Sequence, residues 1–234
     1  MIHIITGTSR GIGRAIANYY LENGDKVIGI SRTNEIVHDN FHFLKCDFTE
    51  KQQLYDLDLS PFVQEEPEPV QLINNSGIIG EIKRFHELTL THYTDMSMVN
   101  VVAAQYMCSY VIQTFGFDHV KTIVNITSGA GERAVPSWAA YCASKAAINL
   151  FSETLAEELR ELNKSTNIYC IAPGVVDTDM QVAIRSSKAK DFSGRQNFVE
   201  LKENDELRTP EQVAELLATF LNEDHSDQGV LHRI

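Results

Sequence analysis

The usual signatures of a metal or disulfide protein are missing from this chain of 234 residues. Its four cysteines, Cys46, Cys108, Cys142 and Cys170, stand far apart, with no Cys-x-x-Cys pair and no histidine grouped with them. That pattern excludes a zinc knot and a disulfide framework, implies no bound metal, and fits the reducing cytoplasm. Long hydrophobic runs are absent too. The chain reaches a glycine turn within seven residues of Met1, too early for a signal peptide or anchor, and no later stretch is long enough to span a bilayer. Basic residues are in deficit, with 20 Lys and Arg against 32 Asp and Glu and a formal charge of -12. Such a surface repels phosphate backbones and anionic lipids, so neither nucleic acid nor a membrane is an expected partner. An anionic ligand must therefore be met by local arginines or backbone N–H groups.

What is present suffices for one packed domain over residues 1–234. Hydrophobic residues make up 43% and charged residues 22%, proportions of an ordinary globular protein. Short apolar, β-branched runs recur at 2–5, 26–30, 41–45, 70–74, 121–126, 167–171 and 229–232. Continuous apolar runs suit strands buried on both faces, and the helical patterns between them suit parallel crossovers. Ile12, Ala15, Ile16, Tyr19 and Tyr20 keep helical spacing up to the stop at Asn23-Gly24, residues 138–162 read as a long helix, and Thr209-Pro210 opens a last one. The expectation is an α/β fold: a doubly wound, mostly parallel sheet of about seven strands. The polar segment 178–208 reads as a mobile insertion over a site, a substrate lid.

Thr6-Gly7-Thr8-Ser9-Arg10-Gly11-Ile12-Gly13 follows the first strand and opens a helix. In a Rossmann-type dinucleotide site Gly7 permits the sharp turn, Gly11 lets the backbone approach a pyrophosphate, and Gly13 lets helix and strand pack closely. At the end of the second strand an NAD-selecting site carries an acidic residue. Here Arg32 stands there, joined by Arg10, and the pair suits the 2′-phosphate of NADPH.

Tyr141 and Lys145, four residues apart in Tyr-Cys-Ala-Ser-Lys, share one helix face. A free phenol with a pKa of about 10 exchanges protons poorly at neutral pH, and a neighbouring cation is expected to lower it. Ser128 closes the strand before that helix, where doubly wound sheets bind ligands, so its hydroxyl is placed to bond the carbonyl oxygen that Tyr141 protonates.

With these motifs in order, the chain resembles the short-chain dehydrogenase/reductase family over nearly its whole length. Further matches are Asp47 after the third strand, Asn74-Asn75-Ser76-Gly77 with Ser where the family has Ala, and Ala172-Pro173-Gly174 followed by Thr178. The resemblance implies a catalytic tetrad of Asn100, Ser128, Tyr141 and Lys145, with Asn100 holding a water that links Lys145 to solvent. It also implies a cofactor site built from Gly7, Ser9, Arg10, Gly11, Ile12, Gly13, Arg32, Asp47, Asn74, Ser76, Gly77, Tyr141, Lys145, Pro173, Gly174, Val176 and Thr178. Residues 172–181 and 201–204 are similar to the sepiapterin-reductase and benzil-reductase members. They imply NADPH-dependent reduction of a small ketone or α-diketone, with Trp138 and Met180 as candidate substrate contacts. The alternatives are a pterin reductase, which wants an acid such as Asp177, Asp179, Glu200 or Glu203 in the pocket, and a catalytically silent NADP-binding sensor. By resemblance the assembly is a homodimer or homotetramer built on helices near 90–115 and 138–162.

Overall fold

The computed structural model describes every residue except Pro67, Asp224, Ser226 and Asp227. The strands are β1 (Ile2–Thr6), β2 (Lys26–Ser31), β3 (Phe41–Lys45), β4 (Val70–Asn74), β5 (Val120–Ile126), β6 (Asn167–Ala172) and β7 (Leu231–Arg233). All pair in parallel, in the order β3-β2-β1-β4-β5-β6-β7. Order reverses between β1 and β4, the switch point where such sheets form a crevice at their C-terminal edge. β1 and β4 are buried at every position, as continuous apolar runs require when both faces are covered.

The helices are α1 (Gly11–Glu22), α2 (Lys51–Tyr55), α3 (Leu90–Ser97), α4 (Ala103–Phe115), α5 (Ala139–Glu161), α6 (Asp179–Arg185), α7 (Arg195–Glu203) and α8 (Pro210–Leu221). One core lies between the sheet and α4 and α5, around Ile4, Leu72, Met107, Val111 and Ile123. The other lies under α1 and α8, around Ile16, Ile73, Val124 and Leu217. α8 starts on the expected cap: the Thr209 hydroxyl accepts from Gln212 N–H, and Gln212 reaches back to Thr209 N–H.

Two features were not expected. The helix near 90–115 is interrupted by a π-helical turn at Met98–Val102, which carries Asn100; wide turns of this kind are frequent at functional sites. Segment 178–208, read as a polar insertion, contains α6 and α7 and is pinned by an apolar residue, Phe192, only 1% exposed. Among the described residues no helix is long and apolar enough to cross a membrane, and no cluster of three potential metal ligands occurs.

Candidate active site

A cleft of about 1160 Å³ opens along the C-terminal edge of the sheet. Its walls include every residue proposed from sequence for cofactor, catalysis or substrate except Gly13, Asn74 and Asn100.

At one end lies the glycine turn. Gly7 has a φ of +78°, the left-handed conformation that favours glycine. A side-chain carbon on Gly13 would stand 2.3 Å from Gly7 O, so Gly13 serves by letting α1 pack on β1 from behind the cleft. The first turn of α1 has neither a capping side chain nor an acidic residue. Its N–H groups and the positive end of the helix dipole therefore face the cleft as an anion site, which fits the pyrophosphate of a dinucleotide. Arg32 is exposed on the wall beyond Ser31 and makes no ion pair among the described residues. Arg10 is engaged: it pairs with Asp179 at 2.8 Å, joining the glycine turn to the start of α6. Asp47 lines the same end, its carboxylate accepting from Thr49 N–H and hydroxyl at 3.0 and 2.9 Å.

Asn74 departs from its expected place. As the last residue of β4 it turns into the core and donates to Asn125 Oδ1 at 2.9 Å and Ala104 O at 3.2 Å. The neighbour sequence reasoning passed over, Asn75, faces the turn and donates to Thr6 O at 3.0 Å. Asn100 is also buried, at 2% exposure. Its Oδ1 accepts from Ile78 N–H at 2.8 Å and its amide donates to Ile78 O at 2.9 Å, so it clamps the loop that follows β4. It reaches Ser144 on α5 at 3.1 Å.

At the other end stand Ser128, Tyr141 and Lys145. α5 presents the phenol and the ammonium together as the spacing requires, with Lys145 Nζ 5.8 Å from the Tyr141 ring centre. Lys145 donates to Ile126 O at 2.8 Å, at the end of β5 just before Ser128. The expected direction of the tyrosine shift is reversed. Burial pushes Tyr141 up to about 12, and the hydrogen bond with Ser128 only partly opposes this. Burial also brings Lys145 down to about 8. At neutral pH the Tyr141 phenol thus holds its proton, and Lys145 beside it is a cation.

Trp138 forms the apolar wall together with two residues sequence reasoning missed. Its ring stacks on Phe192 at 5.2 Å, meets Phe198 at 5.4 Å, and lies edge-on to Tyr141 at 5.8 Å. Met180 completes this side, near Ile184 and Leu201. Of the four acids considered for a pterin, Asp177 is held by Lys202 and Arg185 away from the cleft. Glu200 and Glu203 are not on the wall, and Asp179 is the partner of Arg10.

This geometry agrees with comparison to known proteins. A family model described as short chain dehydrogenase matches residues 1–189, and the chain belongs to that family. It is therefore an oxidoreductase acting between carbonyl and hydroxyl groups with a nicotinamide cofactor. Within the family it is 34% identical to a benzil reductase ((S)-benzoin forming) of Bacillus subtilis, over 100% of this chain and 98% of that one. It is 28% identical to the sepiapterin reductase of Xenopus tropicalis, over 97% and 93%. Among solved structures, the KRED1-Pglu enzyme superposes with a TM-score of 0.85 at 26% identity, covering 99% of both chains.

Proposed function

We propose that the protein is an NADPH-dependent reductase of small ketones and α-diketones, of the benzil type, in which Tyr141 donates the proton. The observation that carries this reading is Ser128, Tyr141 and buried Lys145 gathered in one cleft with the glycine turn. When bound, the cofactor supplies the hydride. Ser128 bonds the substrate's carbonyl oxygen, Tyr141 passes its phenolic proton to that oxygen as negative charge develops, and Lys145 stabilises the resulting phenolate until it regains a proton from solvent. Asn100 holds the loop after β4 in place. The aromatic wall of Trp138, Phe192 and Phe198 suits an aryl diketone, and α6 and α7 act as the lid. The pterin reading is weaker because none of its four candidate acids stands free on the wall.

NADPH preference rests on Arg32, a cation without an ion-pair partner among the described residues, where an NAD-selecting site needs an acid. Arg10 adds a second cation at the same end while keeping its ion pair with Asp179. The test is NADPH and NADH oxidation with benzil, for the wild type and Arg32→Asp. Wild-type turnover with preference for NADPH, and a ratio of specificity constants at least about tenfold lower in the variant, are the expected results. An unmoved ratio overturns the cofactor assignment. Failure to reduce benzil or any small diketone overturns the substrate class.

A further inference from the structure

The substrate end of the cleft has a charged feature that proton transfer does not use. The protein carries an excess of 12 acidic residues, yet the cleft wall has five Lys or Arg side chains against three Asp. Two of the five, Arg133 and Arg233, belong to the substrate end. β7 pairs Arg233 with Ala172 and projects it over the loop that follows Ser128. Its Nη2 lies 3.5 Å from where a side-chain carbon on Gly129, the residue after Ser128, would sit.

What Arg233 meets there is a carboxylate. Nη2 approaches both oxygens of Glu132, at 3.3 and 3.4 Å, with the side chains 64% and 51% exposed. Strong charge-assisted bonds run to about 2.7–2.9 Å and use two nitrogens of the fork, one to each oxygen. The Glu132 contact is longer and shares one nitrogen, so it is weak and open to displacement. Arg133 is exposed and makes no ion pair or hydrogen bond among the described residues. The remaining wall acid on this chain not engaged elsewhere is Asp95, on α3, which also makes no ion pair among the described residues. The same cleft carries the apolar surface of Trp138, Phe192 and Phe198.

We infer that Arg233, assisted by Arg133, is an anion-recognition site, and that the substrates this enzyme favours are carbonyl compounds bearing a carboxylate on an apolar body. The inference rests on the reductase reading and narrows its substrate class. Glu132 then serves as an internal competitor: its carboxylate stands beside the guanidinium until a substrate carboxylate with better two-point geometry replaces it. A planar carboxylate matches the guanidinium fork, and two arginines at the mouth also offset the repulsion an anion meets from the acidic surface.

The experiment measures KM and kcat with NADPH for two matched pairs, benzoylformate with its methyl ester and 4-carboxybenzil with benzil. The pairs place the carboxylate near to or far from the reacting carbonyl. For at least one pair, Arg233→Gln is expected to lower the acid-to-neutral ratio of kcat/KM about tenfold, through KM. Glu132→Gln, which removes the competitor, is expected to move the same ratio the other way. Opposite signs from two neighbouring substitutions separate recognition from a structural effect. Reduction of the neutral members with no change of ratio in either variant overturns the inference and leaves the reductase reading standing. Inactivity of the wild type towards all four compounds overturns both.

Discussion

The two ends of the same parallel sheet are built differently. At the N-terminal edge the polar groups are paired. Buried His3 is bracketed by Gln71 at 2.9 Å and Asp25 at 3.1 Å and stacks on Tyr20 at 3.6 Å. The Met1 amino group meets Asp25 and Glu68 at 3.2 and 3.4 Å, and Lys26 pairs with Glu68. At the C-terminal edge Lys145 is buried with, among the described residues, a lone carbonyl as its bonded partner. Trp138 Nε1 and Gln181 Oε1 are buried without any, and Ser137 adopts a φ of +71° that non-glycine residues rarely take. Unpaired buried groups and left-handed backbone each cost stability, and several of them stand at the edge that holds the glycine turn and the tyrosine. One edge holds the sheet together and the other gives up part of that stability to hold reactive groups in place.

That contrast is broken most sharply at Tyr141. Tyr141→Phe removes one oxygen from the C-terminal edge and is expected to lower kcat for diketone reduction by about 10²–10⁴. Its melting temperature is expected to stay close to the wild type, because the ring keeps its packing on Trp138 and loses only one oxygen. An active Phe variant would remove Tyr141 as donor.

Lys145→Met probes the same edge for the conflict between stability and chemistry. Turnover is expected to fall by at least about a hundredfold, since the phenolate loses its cation. Stability at pH 7 is expected to rise by roughly 1–3 kcal/mol, because a buried cation is replaced by an apolar chain of similar length. The lost bond to Ile126 O offsets about 1 kcal/mol of this. The pH dependence has a definite sign. Lys145 loses its proton near 8 when folded and near 10.5 when unfolded, so between those values the unfolded chain binds more protons and wild-type stability gains with rising pH. Melting curves from pH 7 to 10 should therefore converge for the two proteins. A variant less stable at pH 7 would show that Lys145 is a structural strut.

The parts of this site that were legible in the sequence depend on neighbours along the chain. Gly7 and Gly13 announce a turn that must bend and pack closely, and Tyr141 and Lys145 share a helix face by spacing alone. Short continuous apolar runs likewise foretold all seven strands, with ends displaced by a residue or two. What was not legible depends on tertiary surroundings. Spacing places a cation near Tyr141, but how deeply both groups are buried reverses the sign of the tyrosine shift. Asn74 and Asn75 read alike until the end of β4 decides which faces the core. Phe192 and Phe198 sit in a stretch whose composition is polar, and only its fold brings them onto Trp138.

The smallest effect is expected at the paired edge. Burial lowers the pKa of His3 from 6.5, against Asp25 and Gln71, which raise it. The folded protein thus favours the neutral ring, and stability from this group is full above about 6.5 and is lost as pH falls towards the lower folded value. His232, lowered by burial as well, adds a contribution of the same sign, so the useful measurement is a difference. Urea unfolding of the wild type and His3→Gln from pH 7.5 to 5 should show the wild type losing up to about 1 kcal/mol more than the variant. Glu68, whose pKa is lowered chiefly by its hydrogen bond with Lys26, is shifted in the same direction but acts lower on the scale. Its contribution is present above about 4.5 and lost only below, so it cannot produce a slope between pH 6.5 and 5. If the two proteins lose stability in parallel over that interval, His3 is indifferent to its proton, and the paired edge is no better matched to its charges than the reactive one.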